Sequence, residues 1–348
     1  MSKRLLVTGG SGFIGSNLVR YLLNQLDIER VVNLDALTYA GNPVNLADQS
    51  NNDKYLFQKG LIQDRALVSK LLKDHGITHV LNLAAESHVD RSIEGPDAFV
   101  QTNIVGTFEL LEACRNYKKE QNSEIRLLHV STDEVFGSLG NEGKFTEYTP
   151  YAPNSPYAAS KASSDMLVRS YQKTYGLHCV ITNCSNNYGP YQFPEKLIPL
   201  VIMKAILGES IPIYGKGDNI RDWLYVSDHA EALYKAAVDG VSGETYNIGG
   251  DQEVKNLDLV KVICGVLDKR CPKKEGGTYT DQIEFVQDRP GHDFRYAIDA
   301  SKIKNELGWS PKHDIQSGIE STIQWYLDNN DWCEVVLSRG YELQRLGL

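Results

Sequence analysis

Val7-Thr8-Gly9-Gly10-Ser11-Gly12-Phe13-Ile14-Gly15 is the stretch on which the fold turns. Before it, Arg4-Leu5-Leu6-Val7-Thr8 is an apolar run too short for a helix and stopped by glycines, so it reads as a buried strand. After it the pattern predicts a helix from Ser16 to about Leu26. Gly10, Gly12 and Gly15 satisfy GxGxxG, while Gly9, Gly12 and Gly15 satisfy GxxGxxG. Either spacing alone is a common glycine turn. Here a strand precedes it, a helix follows, and a second apolar strand, Val31-Val32-Asn33-Leu34, ends at Asp35, 20 residues past Gly15. In that arrangement glycines bring a pyrophosphate onto a helix N-terminus and an acid takes the ribose hydroxyls. An acid at Asp35 repels a 2′-phosphate, so the stretch favours NAD over NADP.

Working outward, strand and helix patterns continue to alternate. Tyr55 to Phe57 predicts a strand and Arg65 to Asp74 a helix. His79 to Leu83 predicts a strand running into Ala84-Ala85-Glu86-Ser87. A longer helix is expected over Phe99 to Tyr117, then a strand over Ile125 to Val130. The pattern goes on with a helix to about Tyr175 and a strand over Cys179 to Thr182. Such alternation gives an α/β fold, a Rossmann-type doubly wound parallel sheet whose ligands sit beyond the carboxyl ends of the strands. From Gln192 the pattern loosens. Short strands at Ile211 to Tyr214, Asp222 to Tyr225, Thr245 to Ile248 and Ile283 to Val286 are separated by helices at Asp228 to Val238, Leu257 to Asp268 and Ala300 to Leu307. A final amphipathic helix covers Ile315 to Asn329. These suggest a smaller, mixed C-terminal substrate lobe. The division is 1–190 for the cofactor and 191–348 for the substrate, with segments interleaved because no Pro/Ser-rich linker separates them.

Composition narrows the class of function. The 348 residues suffice for a large core, and 41% hydrophobic residues argue against disorder. A net charge of -9 without a basic stripe gives no footprint for nucleic acid. No apolar run is long enough to span a bilayer, and the run after Lys3-Arg4 stops too soon for a signal peptide. Six cysteines (114, 179, 184, 264, 271 and 333) show no CxxC or zinc spacing, so no metal is expected and the thiols read as buried and reduced. A soluble, cytoplasmic protein follows from these features.

Candidate chemistry gathers at the two ends of residues 131–161. Ser131-Thr132-Asp133-Glu134-Val135-Phe136-Gly137 closes the 125–130 strand with a hydroxyl and two adjacent carboxyl groups. Ser155-Pro156-Tyr157-Ala158-Ala159-Ser160-Lys161 opens the next helix and puts a phenol and an ammonium four residues apart, on one face. A free Tyr ionises near pH 10, and a neighbouring Lys charge favours the phenolate. Adjacent carboxyls can divide acid and base work if their surroundings pull the two pKa values apart.

With TGGSGFIG, Tyr157-x-x-x-Lys161 and Thr132 in hand, the chain resembles the extended short-chain dehydrogenase/reductase family of nucleotide-sugar enzymes. The 131–137 run is similar to its dehydratase branch, which acts on dTDP-glucose, rather than to its epimerases. The likeness extends through LAAESHVDRS (83–92), NCSNNYGPYQFPEKLIP (183–199), IRDWLYV (220–226), ETYNIGG (244–250) and DRPGHDFRYAIDAS (288–301). It implies NAD-dependent dehydration of dTDP-glucose, with Thr132, Asp133, Glu134, Tyr157 and Lys161 catalytic. A 4-epimerase of a UDP-sugar, or a dehydratase of another nucleotide sugar, is the alternative.

The resemblance also assigns binding residues. For the cofactor it implies Gly9, Gly12, Phe13, Ile14 and Gly15, then Asp35, Leu37, Thr38 and Ile62. Leu83, Ala84, Ala85, Ser87, Thr102, Tyr157, Lys161 and Asn187 complete that set. For the substrate it implies Ser87, Thr132, Asp133, Glu134, Asn186, Lys196 and Leu197, with Pro212, Ile213 and Tyr214 near the base. Arg221, Asn256, Arg289 and His292 would hold the diphosphate and nucleoside. The helices near 99–117 and 156–175 are implied to form a homodimer interface. Three departures stand out: Leu61 where the family carries an adenine-contacting acid, Phe136 where a Tyr is usual, and a short 138–151 segment.

Overall fold

The glycine turn lies between β1 (Lys3–Thr8) and a helix over Phe13–Leu23. That helix begins three residues earlier than its apolar pattern indicated. The computed structural model describes residues 2–288 and 292–338. The turn requires its glycines for packing as well as for dihedrals. Gly9 adopts φ 71°, and a Cβ on Gly15 would lie 2.1 Å from the Gly9 carbonyl oxygen. No rotamer change relieves a clash with backbone.

Six strands alternate with helices: β1, β2 (Ile28–Asp35), β3 (Tyr55–Lys59), β4 (His79–Asn82), β5 (Arg126–Thr132) and β6 (His178–Cys184). Three short strands follow, β7 (Asn186–Tyr188), β8 (Ile211–Tyr214) and β9 (Ile220–Tyr225). The last are β10 (Thr245–Ile248), β11 (Glu253–Lys255) and β12 (Ile283–Val286). The main sheet runs β10-β6-β5-β4-β1-β2-β3, all parallel. Its order reverses direction at β1 and β4, which opens a crevice at their carboxyl ends.

Neighbouring residues of a strand face opposite sides, and both sides are core. Leu5 and Val7 pack with Leu18, Val19 and Leu22 and with Leu233 and Ala236 of the helix Val226–Asp239. Leu6 packs with Val68, Leu71, Leu110, Leu111 and Val168 on the other side. A sheet buried on both faces explains why its strands read as apolar runs and not as alternation.

The second lobe holds a three-stranded sheet, β11-β9-β7, and a two-stranded one, β12-β8. Helices Leu197–Leu207, Asn256–Arg270, Ile315–Asp328 and Asn330–Leu337 pack around it. The first was not foreseen. LIPLVIMKAIL is apolar nearly all round, so no amphipathic period marks it. The strand at 245–248 was grouped with this lobe, yet β10 pairs with β6 in the main sheet. Near the C-terminus, the Trp332 indole donates to Asn45 Oδ1 at 2.8 Å and ties the lobe back to the cofactor half. All six cysteines are free thiols. Among the described residues no helix is long and apolar enough to cross a membrane, and no cluster suits a metal ion.

Candidate active site

One cavity of about 480 Å³ runs along the carboxyl ends of the main strands and under the second lobe. Every described residue assigned above to catalysis, cofactor or substrate lies on its wall except Leu37. Leu37 contributes its backbone: at φ 54° it turns its N–H to Asp35 Oδ1, at 2.8 Å. Arg289 lies outside the described residues.

At the cofactor end, the helix starting at Phe13 has Gly12 as N-cap and no side-chain cap. Its first N–H groups are therefore available to an anion. Asp35 accepts the Ser11 N–H at 2.8 Å on Oδ2 and the Leu37 N–H on Oδ1. Burial raises the Asp35 pKa, and these two bonds oppose the rise. A Cβ on Gly9 would lie 2.8 Å from the Ala84 nitrogen, so the β1 and β4 loops approach as closely as backbone allows. An uncapped helix start, close-packed glycines and a buried acid on one wall fit a dinucleotide. Leu61 stands on the same wall, half exposed, where the family pattern has an acid. The neighbouring Asp64 caps the helix Arg65–Asp74 instead, accepting the Leu67 N–H.

At the other end, β5 stops at Thr132, whose Oγ1 accepts the Glu134 N–H at 3.3 Å and caps the short turn Asp133–Phe136. Asp133 is buried, and its Oδ2 has no hydrogen-bond partner among the described residues. Burial, then the charges of Glu134 and Asp222, push its pKa well above the ordinary carboxyl range, against the pull of Arg221. Burial and the neighbouring charges thus favour the protonated form of Asp133 beside Glu134.

Tyr157 and Lys161 sit on the first turns of the helix Pro156–Tyr175, capped by Ser155. Lys161 Nζ donates to the Val130 carbonyl at 2.8 Å. The expectation that Lys161 draws the Tyr157 phenol down is not met by the protein alone. Burial, then the Glu134 charge, push that phenol well up, with a Thr132 hydrogen bond opposing.

Behind these groups lies a buried polar layer. Asp165 Oδ2 accepts from Ser131 Oγ at 2.7 Å and from Tyr151 OH at 2.9 Å, and Oδ1 lies 3.3 Å from His129 Nε2. Asn103, in a π-wound stretch over Val100–Gly106, donates to Ser160 Oγ at 2.8 Å and to the Glu86 carbonyl at 3.0 Å.

At the substrate end, Arg221 Cζ lies over the Tyr296 ring, 4.5 Å from its centroid, and the guanidinium donates to the Asp293 carbonyl at 2.9 Å. Pro212, Ile213 and Tyr214 of β8 line the cavity together with Asn256, with the His292 ring edge-on to Tyr214. Sequence reasoning missed Glu195. Its side chain is buried, accepts from Tyr39 OH at 3.2 Å, and lies 3.6 Å from Arg91 Nε and 3.8 Å from His88 Nε2. Burial raises its pKa. The only local signal was an ion pair's worth of charge, Glu195-Lys196, inside the apolar run from Phe193 to Ile198.

A dinucleotide cradle with a Tyr/Lys pair and a strand-end Thr defines a short-chain dehydrogenase/reductase of the extended kind. The profile of the GDP-mannose 4,6 dehydratase family matches residues 6–322, and the chain belongs to that family. It is 58% identical over 346 residues to the dTDP-glucose 4,6-dehydratase of Xanthomonas campestris pv. campestris (strain B100), covering 98% of each chain. Two solved dTDP-glucose 4,6-dehydratases superpose closely. The NAD complex from Bacillus anthracis shares 46% identity at a TM-score of 0.86, over 96% of this chain and all of the other. An NAD-bound structure from Streptomyces venezuelae shares 43% identity at a TM-score of 0.88, over 96% and 99%.

Proposed function

We propose that this chain converts dTDP-glucose to dTDP-4-keto-6-deoxyglucose, with NAD retained and regenerated in each turnover. The observation that carries the reading is the adjacent carboxyl pair, buried Asp133 beside Glu134, on the wall that also holds Tyr157 and Lys161. An epimerase needs the Tyr/Lys pair and has no use for two adjacent carboxyls beside it. The relatives solved with NAD support that cofactor here.

Bound NAD supplies a hydride acceptor at C4 of the sugar, a hydride donor at C6, and positive charge near the phenol. The chain's own residues do the rest. Tyr157 takes the C4 hydroxyl proton, and Thr132 orients the same oxygen by hydrogen bonding. Lys161, fixed on the Val130 carbonyl, supplies the charge that favours phenolate when the proton leaves. Glu134 removes the C5 proton, which the new 4-ketone makes acidic, Asp133 gives its proton to the departing C6 hydroxyl, and Glu134, open to exchange with solvent, returns a proton to C5 when C6 takes the hydride back. Arg221 and Lys196 suit a diphosphate, and the β8 residues 212–214 flank the base.

We propose residues 1–190 chiefly for the cofactor and 191–348 for the nucleotide sugar, in a cytoplasmic homodimer. Exposed Val100, Phe108, Met166 and Tyr175 on two packed helices support a dimer face. The reaction is tested with dTDP-[4-²H]glucose. Dehydration moves the deuterium to C6, whereas a galactose-type product with label still at C4 sinks the reading.

A further inference from the structure

Glu195 is a carboxyl that no step given above uses. Its side chain is only 3% exposed. It belongs to the segment that leads from β7 into the helix Leu197–Leu207 of the second lobe. A carboxyl so buried needs partners, and it takes them from two other walls of the cavity.

One is the loop 36–42, directly after the Asp35 that closes β2. From it Tyr39 donates its hydroxyl to Glu195 Oε1 at 3.2 Å and sets its ring edge-on to Phe193, with centroids 5.8 Å apart. The other is the helix Val89–Glu94, which follows the end of β4. From it Arg91 places Cζ over the Tyr39 ring, 4.0 Å from the centroid, and brings Nε to 3.6 Å from Glu195 Oε2. Each of the three side chains thus touches the other two. The segments that carry them all line the cavity: Thr38, Ala40 and Gly41 beside Tyr39, Val89 and Asp90 beside Arg91, and Glu195 itself. Tyr39 and Glu195 are 156 positions apart, so the contact joins walls that the chain does not otherwise connect nearby.

The residues proposed to hold NAD include Thr38 on the loop and Ser87 just before the helix, so two of the three joined walls are cofactor walls. Tying them together resists exit of whatever they hold. We infer that Glu195 is a positioning residue: with Tyr39 and Arg91 it straps the ribose loop to both other walls and keeps NAD in place between turnovers. It acts on the cofactor only through those two side chains. A hydrogen bond to a carboxyl, an ion pair and an Arg over an aromatic ring are each modest, but the loop moves only when the contacts it makes break together.

The inference rests on the NAD-dependent reading, and the test measures NAD exit directly. Protein loaded with radiolabelled NAD is chased with excess unlabelled NAD, and the label still bound is counted after gel filtration. Glu195→Gln keeps the shape and exchanges the carboxyl for an amide. Its release should be at least about tenfold faster, the equivalent of one lost hydrogen bond to a charged group. Tyr39→Phe keeps the ring against Arg91 and Phe193 and removes only the hydroxyl, so release should be about threefold faster or more. Added to Glu195→Gln it should do less than it does alone, because the two share one contact. A lowered Tm with release unmoved assigns Glu195 a structural part and overturns the inference. Release unmoved with a raised KM for dTDP-glucose gives Glu195 to the sugar site and overturns it as well. If Glu195→Gln does not fold, Tyr39→Phe decides, and unchanged release refutes the strap. A wild type that takes up NAD but sheds it during gel filtration overturns the strap and leaves the cofactor's identity standing. One that takes up no NAD strikes the cofactor reading and the strap with it.

Discussion

Asp133→Asn should make the protein more stable and nearly inactive at once. Asp133 is buried, and its folded pKa stands well above the unfolded value of about 3.9. Below the unfolded pKa the carboxyl is protonated in both states and contributes nothing. As pH rises past it, the unfolded chain ionises and gains free energy that the buried, neutral carboxyl does not. Wild-type stability therefore falls relative to an uncharged variant, until the folded pKa is reached. Each unit between the two values costs about 1.4 kcal/mol, and a kilocalorie moves the Tm of a chain this size by about 1–2 °C. The Asn variant, nearly isosteric and unable to ionise, should lead the wild type in Tm by a margin that is absent near pH 4 and grows toward neutrality. Turnover should fall by about 10²- to 10⁴-fold, since an amide has no proton to give the leaving hydroxyl. Thermal unfolding across pH, with product formation beside it, reads both. A stability difference that does not change with pH would mean Asp133 is ionised in the folded protein, and the acid assignment would fail. Full turnover in the variant would refute it directly.

Glu134→Gln should lower dehydration by about 10²- to 10⁴-fold and stop solvent deuterium from entering C5, checked by mass spectrometry of product made in deuterium oxide. Asp35→Ala removes the acceptor of two backbone N–H groups and the proposed ribose partner. NAD affinity should drop at least about tenfold, the equivalent of one lost hydrogen bond to a charged group, by calorimetry on cofactor-stripped protein. Gly15→Ala sets a methyl against the Gly9 carbonyl, and the forced shift should cost about 1–3 kcal/mol in denaturant unfolding. Met166→Glu, on the exposed face of the helix Pro156–Tyr175, should yield monomers in sedimentation, and an unchanged mass would remove that face from the dimer.

Local patterns carried most of the cofactor half. The helix at Arg65–Asp74 and the strands at 211–214 and 283–286 have the predicted bounds, because caps and short apolar runs are local signals. Three-residue β7 and β11 escaped notice, since strands that short exist only through their pairing with β9. The sheet that β10 joins depends on where the chain returns, which no window of sequence records. The site divides the same way. Tyr157, Lys161, Thr132 and the carboxyl pair were legible as motifs. The Tyr39, Arg91 and Glu195 contact joins two loops and the short helix Val89–Glu94, far apart in sequence, and Asp165 meets Ser131 and His129 on β5. The upward push on the Asp133 pKa comes first from burial, which its neighbours in sequence do not reveal.

The return of β10 to the main sheet has a consequence for how this protein can be divided. A cut after residue 190 strips the sheet of its edge strand and removes the helix Val226–Asp239 that covers Leu18 and Leu22. It also removes Trp332 from Asn45. A truncated cofactor half would expose apolar surface along one whole face, and a grafted sugar lobe would arrive without a matching edge. Exchange of specificity between relatives is therefore expected to succeed by swapping single loops, such as those at 191–196 or 215–219, and to fail by swapping halves.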